Sequence, residues 1–246
     1  MEEKVILGEN EEIVDLQYKG LKLIQNDKVL KFGTDAVLLS SFVTVHKGEK
    51  VVDMGTGSGI IPILLAGRTD ADYYGIEIQD EAYQLACRNV ELNGLSNVTM
   101  IHDDIANIKD HFDQVDVVIV NPPYDKLGAG DMQKDEYMQI AFYEVKTDLR
   151  GILEAASSIL PTGGRFYMIH RSYRLAEIMS VMKEYRLEPK EVRPIVKRYD
   201  AEPRYVLIKG LKDAREGMRL LPSLIIYGED GAYTDEMRSI YHMEEE

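Results

Sequence analysis

Short apolar runs and amphipathic segments alternate along the chain from residue 50 onward. Runs such as Val117–Val120 are fully apolar, which is typical of a parallel strand buried on both faces, while Asp80–Asn93 has helical spacing. This alternation predicts an α/β fold with a doubly wound, seven-stranded and mostly parallel sheet. The predicted strands are Val51–Met54, Tyr73–Ile78, Val98–His102, Val115–Val120, Arg165–His170, Glu191–Lys197 and Tyr205–Lys209, and the predicted helices are Ile60–Gly67, Asp80–Asn93, Glu144–Leu160 and Tyr173–Tyr185.

The two ends of the chain depart from this alternation. A short connection rich in proline and charge joins the last two long strands, so we expect an antiparallel hairpin at the sheet edge. We predict that residues 1–48 form a small elaboration packed on a main domain of residues 49–246. The elements predicted at the two ends are strands at Leu16–Ile24, Val29–Phe32 and Leu224–Tyr227, a helix at Ala36–Val43 and a short terminal helix.

Composition narrows the class of protein. The chain has 246 residues, 45% of them hydrophobic, and a net charge of −14, so the whole molecule is not a general polyanion binder. The single Cys87 predicts a reducing compartment, and the acidic start without a long apolar segment predicts no signal peptide. No apolar stretch is long enough to cross a membrane, and the histidines lack metal-ligand spacing. We therefore expect a cytoplasmic protein without a metal.

The most informative segment is Asn121-Pro122-Pro123-Tyr124, which follows the buried run Val117–Val120. In open α/β sheets, ligands bind at the carboxyl ends of the strands. The Asn121 amide oxygen and the neighbouring carbonyl can each accept an N–H, and the Tyr124 ring can stack on a flat group. We predict a site for an amino group on a planar π-system, either a nucleobase or a side-chain amide. The alternative is a rigid turn that ends the strand.

A glycine-rich turn, Asp53–Gly59, joins the first parallel strand to its helix and predicts a cofactor site. The turn lacks the Gly-Lys-Ser/Thr of a phosphate loop, and Ile60 stands where a dinucleotide fingerprint requires a small residue. S-adenosylmethionine (SAM) remains, because its carboxylate suits a helix N-terminus and its ammonium suits Asp53. The predicted cofactor residues of this turn are Asp53, Gly55, Gly57 and Gly59.

Acidic residues follow the next two strands and strengthen this prediction. Glu77 can accept both ribose hydroxyls, and Asp104 can accept the adenine amino group. Each acid alone could instead be a helix cap or a solvated loop carboxylate. Asp35 could either cap the following helix or contact the cofactor.

In this order, these motifs resemble the class I SAM-dependent methyltransferases, whose fold is Rossmann-like. More narrowly, the chain is similar to the tRNA1(Val) adenine-N6 methyltransferase family. Further segments carry this narrower resemblance: Phe32–Leu39, Gly164–Arg171, Leu187–Lys190, Val206–Gly210 and Leu221–Tyr227. The resemblance implies methylation of the adenine 3′ of the anticodon of a valine tRNA, with Asn121, Pro122, Pro123 and Tyr124 as the catalytic residues.

The resemblance also raises the question of how an acidic chain binds RNA. Residues 165–219 carry 14 Lys and Arg against 8 Asp and Glu, which predicts a locally basic RNA-binding surface or an ordinary solvated face. Where relatives carry a polar loop ending in Ala-Arg-His-Glu, this chain has the acidic loop Asp125–Gln139 and then Ala-Phe-Tyr-Glu. The candidate tRNA contacts are Arg171, Arg174, Arg193, Lys197, Arg198 and Arg204.

Three alternative functions remain open at this stage. The same tetrad suits methylation of a protein glutamine amide, although residues 1–48 look too short and too strand-like for the separate helical domain that such enzymes carry. Amino groups of ribosomal RNA or DNA are equally suitable substrates. A SAM-binding RNA chaperone without turnover is the third alternative, and the intact tetrad argues against it.

Overall fold

The computed structural model describes residues 7–26, 33–122 and 148–243. The predicted strand at Val29–Phe32, the residues Pro123 and Tyr124 and the acidic loop Asp125–Gln139 lie outside the described residues. The strands are β1 Glu11–Asp15, β2 Lys22–Asn26, β3 Lys50–Met54, β4 Asp72–Glu77, β5 Val98–His102, β6 Val117–Val120, β7 Arg165–Arg171, β8 Leu187–Val196, β9 Tyr205–Lys212, β10 Arg219–Leu220 and β11 Leu224–Ile225. The helices are α1 Thr34–Phe42, α2 Ile60–Ala66, α3 Asp80–Leu92, α4 Ile108–His111, α5 Leu149–Ile159, α6 Leu175–Glu184 and α7 Asp235–Ile240.

The main sheet has the strand order β10-β8-β9-β7-β6-β3-β4-β5. Strands β3 to β7 are parallel, and β9 runs antiparallel between β7 and β8. This arrangement confirms the predicted α/β fold with its antiparallel hairpin. The described sheet has nine strands instead of seven, because β10 and β11 add two residues each along β8. The predicted strand Leu224–Tyr227 contains β11, whereas β10 was not predicted, because pairing over two residues leaves no period in the sequence.

The core lies on both faces of this sheet. Val117 and Ile119 belong to the hydrophobic cluster on the face covered by α1 and α2, while Val118 and Val120 belong to the cluster that contains α5 and α6. All four side chains are at most 1% exposed. A strand that is buried on both faces has no polar alternation, which explains the apolar run in the sequence.

The N-terminal segment forms a separate antiparallel hairpin, in which Asp15 of β1 pairs with Lys22 of β2. The predicted single strand Leu16–Ile24 is therefore wrong, because its first half is the turn of this hairpin. Gln17, Lys19 and Gly20 have φ values of 54°, 50° and 73°, which an extended strand cannot contain. Side chains from both sides of residue 48 share one core cluster, and the division of the chain at that residue stays a prediction.

No helix among the residues that the structure describes is both long enough and apolar enough to cross a membrane. The longest described helix, α3, packs against β2 and β5. Its buried Asn89 connects three parts of the fold. The Asn89 amide oxygen accepts from Ile24 N at 2.6 Å, and the amide nitrogen donates to Ile24 O at 3.2 Å and to Ser58 O at 2.9 Å. One side chain thus holds the N-terminal hairpin and the glycine-rich turn against the same helix.

We expect Asn89→Ala to lower the free energy of unfolding by about 1–3 kcal/mol, because three buried backbone groups lose their partner. Urea unfolding of the wild-type and variant proteins measures this loss. Gln84→Ala is the matched control, since Gln84 is exposed on the same helix. Equal stability of the two variants would contradict the structural role of Asn89.

Candidate active site

The glycine-rich turn between β3 and α2 combines an open part with a tightly packed part. Gly55, Gly57 and Gly59 have φ values of 73°, 57° and 81°, which favour glycine at each position. A Cβ atom at Gly55 or Gly57 would meet nothing within 4 Å, so a ligand can approach this backbone closely. A Cβ at Gly59 would lie 3.0 Å from the Met100 side chain and 3.4 Å from Ala86 Cβ. Gly59 therefore allows α2 and α3 to pack closely.

Asp53 lies near the end of β3, where this turn begins, and is 2% exposed. Its Oδ2 accepts from the Thr56 hydroxyl at 2.6 Å. Its Oδ1 is buried without a hydrogen-bond partner among the described residues. Burial, with a smaller contribution from the charge of Glu77, raises the pKa of Asp53 to about 7. A buried acceptor atom of this kind suits a cationic donor group of a ligand.

Glu77 ends the neighbouring strand β4 and is 6% exposed. Its Oε2 accepts from Gly57 N at 2.9 Å, and its Oε1 accepts from Gln79 N at 3.0 Å. Burial raises the pKa of Glu77, and these backbone N–H groups oppose the shift by stabilising the carboxylate. The side chain thereby fixes the glycine-rich turn against the end of the next strand.

Asp104 lies just after β5 and caps the short 3-10 helix Ile105–Asn107, since its Oδ1 accepts from Ala106 N at 2.9 Å. The preceding Asp103 accepts from Asn107 Nδ2 at 2.8 Å and lies 2.7 Å from His111 Nε2. These hydrogen bonds lower the pKa of Asp103 to about 2. A local network of this kind positions Asp104 at the same edge of the sheet as Glu77.

Asn121 directly follows β6 and lies next to the glycine-rich turn, because Val120 pairs with Met54 of β3. Its amide nitrogen lies 3.5 Å from Asp35 Oδ2, at the start of α1. This contact turns the amide oxygen of Asn121 away from the carboxylate. Pro122 is buried beside it. Sequence analysis missed this pairing, because the two residues are 86 positions apart.

A second contact that the sequence did not predict joins the start of α1 to the C-terminal segment. The Tyr241 hydroxyl forms a hydrogen bond with Thr34, and the pKa of Tyr241 is raised, chiefly by burial. The Tyr241 ring is stacked at 5.5 Å on Tyr233, which in turn is stacked at 5.3 Å on Tyr227. The C-terminal segment therefore supports the helix that carries Asp35.

The candidate RNA contacts occupy different environments. Arg174 is only 3% exposed and forms an ion pair with Glu177 at 3.0 Å, so phosphate contact would require this pair to open. Arg193 is partly buried and pairs with Glu236 at 2.7 Å. The remaining four lie around the connection between β8 and β9: Arg171 is half-buried, and Lys197, Arg198 and Arg204 are exposed.

The structure therefore brings together some of the predicted cofactor-binding and catalytic residues. Asp53, the three glycines and Glu77 are in direct contact or adjacent. The strand register places Asn121 beside them, and Asn121 in turn contacts Asp35. Pro123 and Tyr124, predicted as catalytic, lie outside the described residues. Within the described ranges, no group of three or more His, Cys, Asp or Glu residues could hold a metal ion.

A glycine-rich turn beside buried acids at the carboxyl ends of parallel strands is typical of a cofactor-binding α/β fold. Residues 45–216 match the family model described as a methyltransferase domain. The chain is also similar to a structure described as a predicted O-methyltransferase from Agrobacterium tumefaciens, with a TM-score of 0.70 and 21% identity over 85% of this chain and 95% of that one. That likeness shows the fold.

Curated relatives narrow the class. A tRNA1(Val) (adenine(37)-N6)-methyltransferase of Flavobacterium johnsoniae is 30% identical over 70% of this chain and 74% of its own length. The relative of the same name from Aeromonas salmonicida is 26% identical over 89% of this chain and 92% of its own. The chain belongs to the methyltransferase domain family and, within it, groups with these tRNA1(Val) adenine-N6 relatives. The resemblance predicted from the sequence is confirmed.

The pKa of Asp53 gives a prediction for the ligand-free protein. Its folded pKa of about 7 lies above the ordinary value of 3.8, so the folded state binds more protons between these values and stability falls as pH rises. We expect Asp53→Asn to remove this loss, which amounts to about 4 kcal/mol by pH 8. Urea unfolding at pH 4, 6 and 8 measures the difference between variant and wild type. A difference that does not change with pH would contradict the buried, raised carboxyl group.

Proposed function

We propose that this protein is a SAM-dependent methyltransferase that modifies the N6 amino group of adenine in tRNA, at the adenine 3′ of the anticodon of a valine tRNA. The observation that carries the proposal is Asn121–Pro122 at the end of β6, next to the glycine-rich turn and oriented by Asp35. The names of the relatives supply the substrate class. A tRNA substrate implies action in the cytoplasm.

The residues around the turn fit SAM. The buried Oδ1 of Asp53, which has no hydrogen-bond partner in the described part of the chain, would receive the cofactor's ammonium group. The open space at Gly55 and Gly57 would admit its amino-acid end. Glu77 would accept the ribose hydroxyls and Asp104 the adenine amino group. When bound, SAM supplies an electrophilic methyl group on a sulfonium.

Asn121 and Pro122 would hold the acceptor amino group. The Asn121 amide oxygen and the Pro122 carbonyl accept its two hydrogens, which raises electron density on a nitrogen whose lone pair is otherwise delocalised into the ring. Tyr124 would stack on the base, and Pro123 would shape the wall beside it. The amine becomes more acidic as the methyl group transfers, so no base with an unusual pKa is required. An unpaired loop base enters such a site at low cost.

Other acceptors with a planar amino group fit the same pair of hydrogen-bond acceptors. They include a protein glutamine amide and amino groups of ribosomal RNA or DNA. Similarity to curated tRNA enzymes over most of the chain favours tRNA. A SAM-binding RNA chaperone without turnover is disfavoured, because it has no need for an amide oriented beside the cofactor turn.

Methyl transfer from radiolabelled SAM to bulk unmodified tRNA, followed by nucleoside analysis, tests the proposal. We expect N6-methyladenosine in a valine tRNA, and Asn121→Ala should lower kcat about a hundredfold with little change in SAM affinity. Asn97→Ala is the matched control, because Asn97 lies at the opposite end of the parallel strands. Near-wild-type turnover by Asn121→Ala would refute the acceptor role. Label on protein or ribosomal RNA instead of tRNA would refute the substrate.

Variants of Asp35 provide a second test, which distinguishes orientation of Asn121 from contact with the cofactor. We assign it to the orientation of Asn121, so Asp35→Ala should lower kcat about ten- to a hundredfold, since a misoriented amide loses its alignment with the amino group. Asp35→Asn keeps a hydrogen-bond acceptor and should retain most of the activity. Equilibrium binding of SAM to both variants provides the control. A large loss of SAM affinity in Asp35→Ala would move Asp35 to the cofactor site.

A further inference from the structure

Two tyrosines on the surface differ from the other described aromatic side chains in their exposure. Tyr173 is 70% exposed and Tyr199 is 85% exposed. Tyr173 follows β7, and Tyr199 follows β8, which runs in the same direction as β7 because β9 is antiparallel to both. Both tyrosines therefore lie at the carboxyl edge of the sheet, where Asn121 and the glycine-rich turn also lie.

Hydrogen bonds join the segments that carry these two tyrosines. Ser172 N donates to Arg204 O at 3.1 Å, and the Ser172 hydroxyl donates to Pro203 O. The segment after β7 and the connection between β8 and β9 thus form one continuous surface. We call it the tyrosine surface and define it by Arg171, Tyr173, Lys197, Arg198, Tyr199 and Arg204.

The segments that carry the two rings also carry cations. Lys197, Arg198 and Arg204 are exposed, and the connection 197–204 also contains Asp200 and Glu202, which gives it a net charge of +1 in a chain of net charge −14. Arg171 and Arg204 lie 4.7 and 5.8 Å from the ring centroid of Tyr205, so an aromatic ring orders both guanidinium groups. The edge that carries the candidate site is therefore less acidic here than the protein as a whole.

Exposed aromatic rings beside cations are the arrangement that binds single-stranded nucleic acid. Bases stack on the rings without strong sequence preference, and the cations contact phosphates. An evenly basic surface without rings would bind duplex and single strand through their charge alone.

We propose that the tyrosine surface binds the unpaired loop of the RNA substrate, with bases stacked on Tyr199 and Tyr173 and phosphates on the cations around them. This inference rests on the proposed function and adds where the RNA binds and by which chemistry. It gives the acidic protein a local means of recognising a loop that does not depend on net charge. The surface selects a flexible single strand over a duplex of the same charge.

The chain contains no tryptophan, which permits a selective optical test. Tyr199→Trp introduces a single reporter at the tyrosine surface. Ile13→Trp introduces one on β1, at a side chain that is 42% exposed. The partner strand β2 contacts α3, and α3 contacts β5 at the edge of the main sheet opposite β8. The probes are an anticodon stem-loop RNA and a blunt RNA duplex of the same length. We expect the stem-loop to quench the reporter at residue 199 and the duplex to leave it unchanged. Equal quenching by both probes, or equal quenching at residue 13, would overturn the proposal.

Steady-state kinetics provide the second measurement. Tyr199→Ala and Tyr173→Ala should each raise the KM for the stem-loop by about 5- to 150-fold, the range expected for one stacked base, without changing kcat or SAM affinity. Tyr199→Phe keeps the ring and should restore the wild-type KM. An unchanged KM in both alanine variants would overturn the proposal while leaving the function intact. Absence of methyl transfer to any RNA by the wild type would refute the function, and the tryptophan reporter would still decide whether the surface binds RNA.

Discussion

Parallel pairing of β3 with β4 and with β6 is the constraint on which the candidate site depends. In this register Met54 lies between Ile76 and Val120, so the residues that follow these strands emerge side by side. The glycine-rich turn, Glu77 and Asn121 belong to distant parts of the sequence and meet only through this pairing. Backbone hydrogen bonds therefore fix the relative positions of the side chains that would hold a cofactor and those that would hold its acceptor.

The same arrangement opposes stability. Asp53 and Glu77 are both buried, and burial raises the pKa of each, which means that the folded protein disfavours their charged forms. Glu77 recovers part of this cost through backbone N–H groups, whereas the Oδ1 atom of Asp53 has no partner among the described residues. Such a cost is typical of a binding site, because the missing partner is supplied by the ligand.

Features that depend on local sequence could be predicted, and features that depend on distant contacts could not. The apolar run of β6 and the glycines of the turn carry their own signals, and the fold followed from their order. The contact between Asp35 and Asn121 has no local signal, and composition alone does not reveal that Arg174 is buried against Glu177. Asp104 is an example of both. The sequence predicted its position after a strand, but it did not decide whether the side chain caps the following helix, as it does in the structure.

The order of synthesis determines when the contact between Tyr241 and Thr34 can form. The residues matched by the methyltransferase domain family, 45–216, include neither the helix that carries Asp35 nor the stacked rings that support it. A ribosome makes Thr34 before the parallel sheet and Tyr241 after it. The parallel strands and the glycine-rich turn can therefore form on the nascent chain before the support behind Asp35 exists, so the acceptor half of the site matures after the cofactor half.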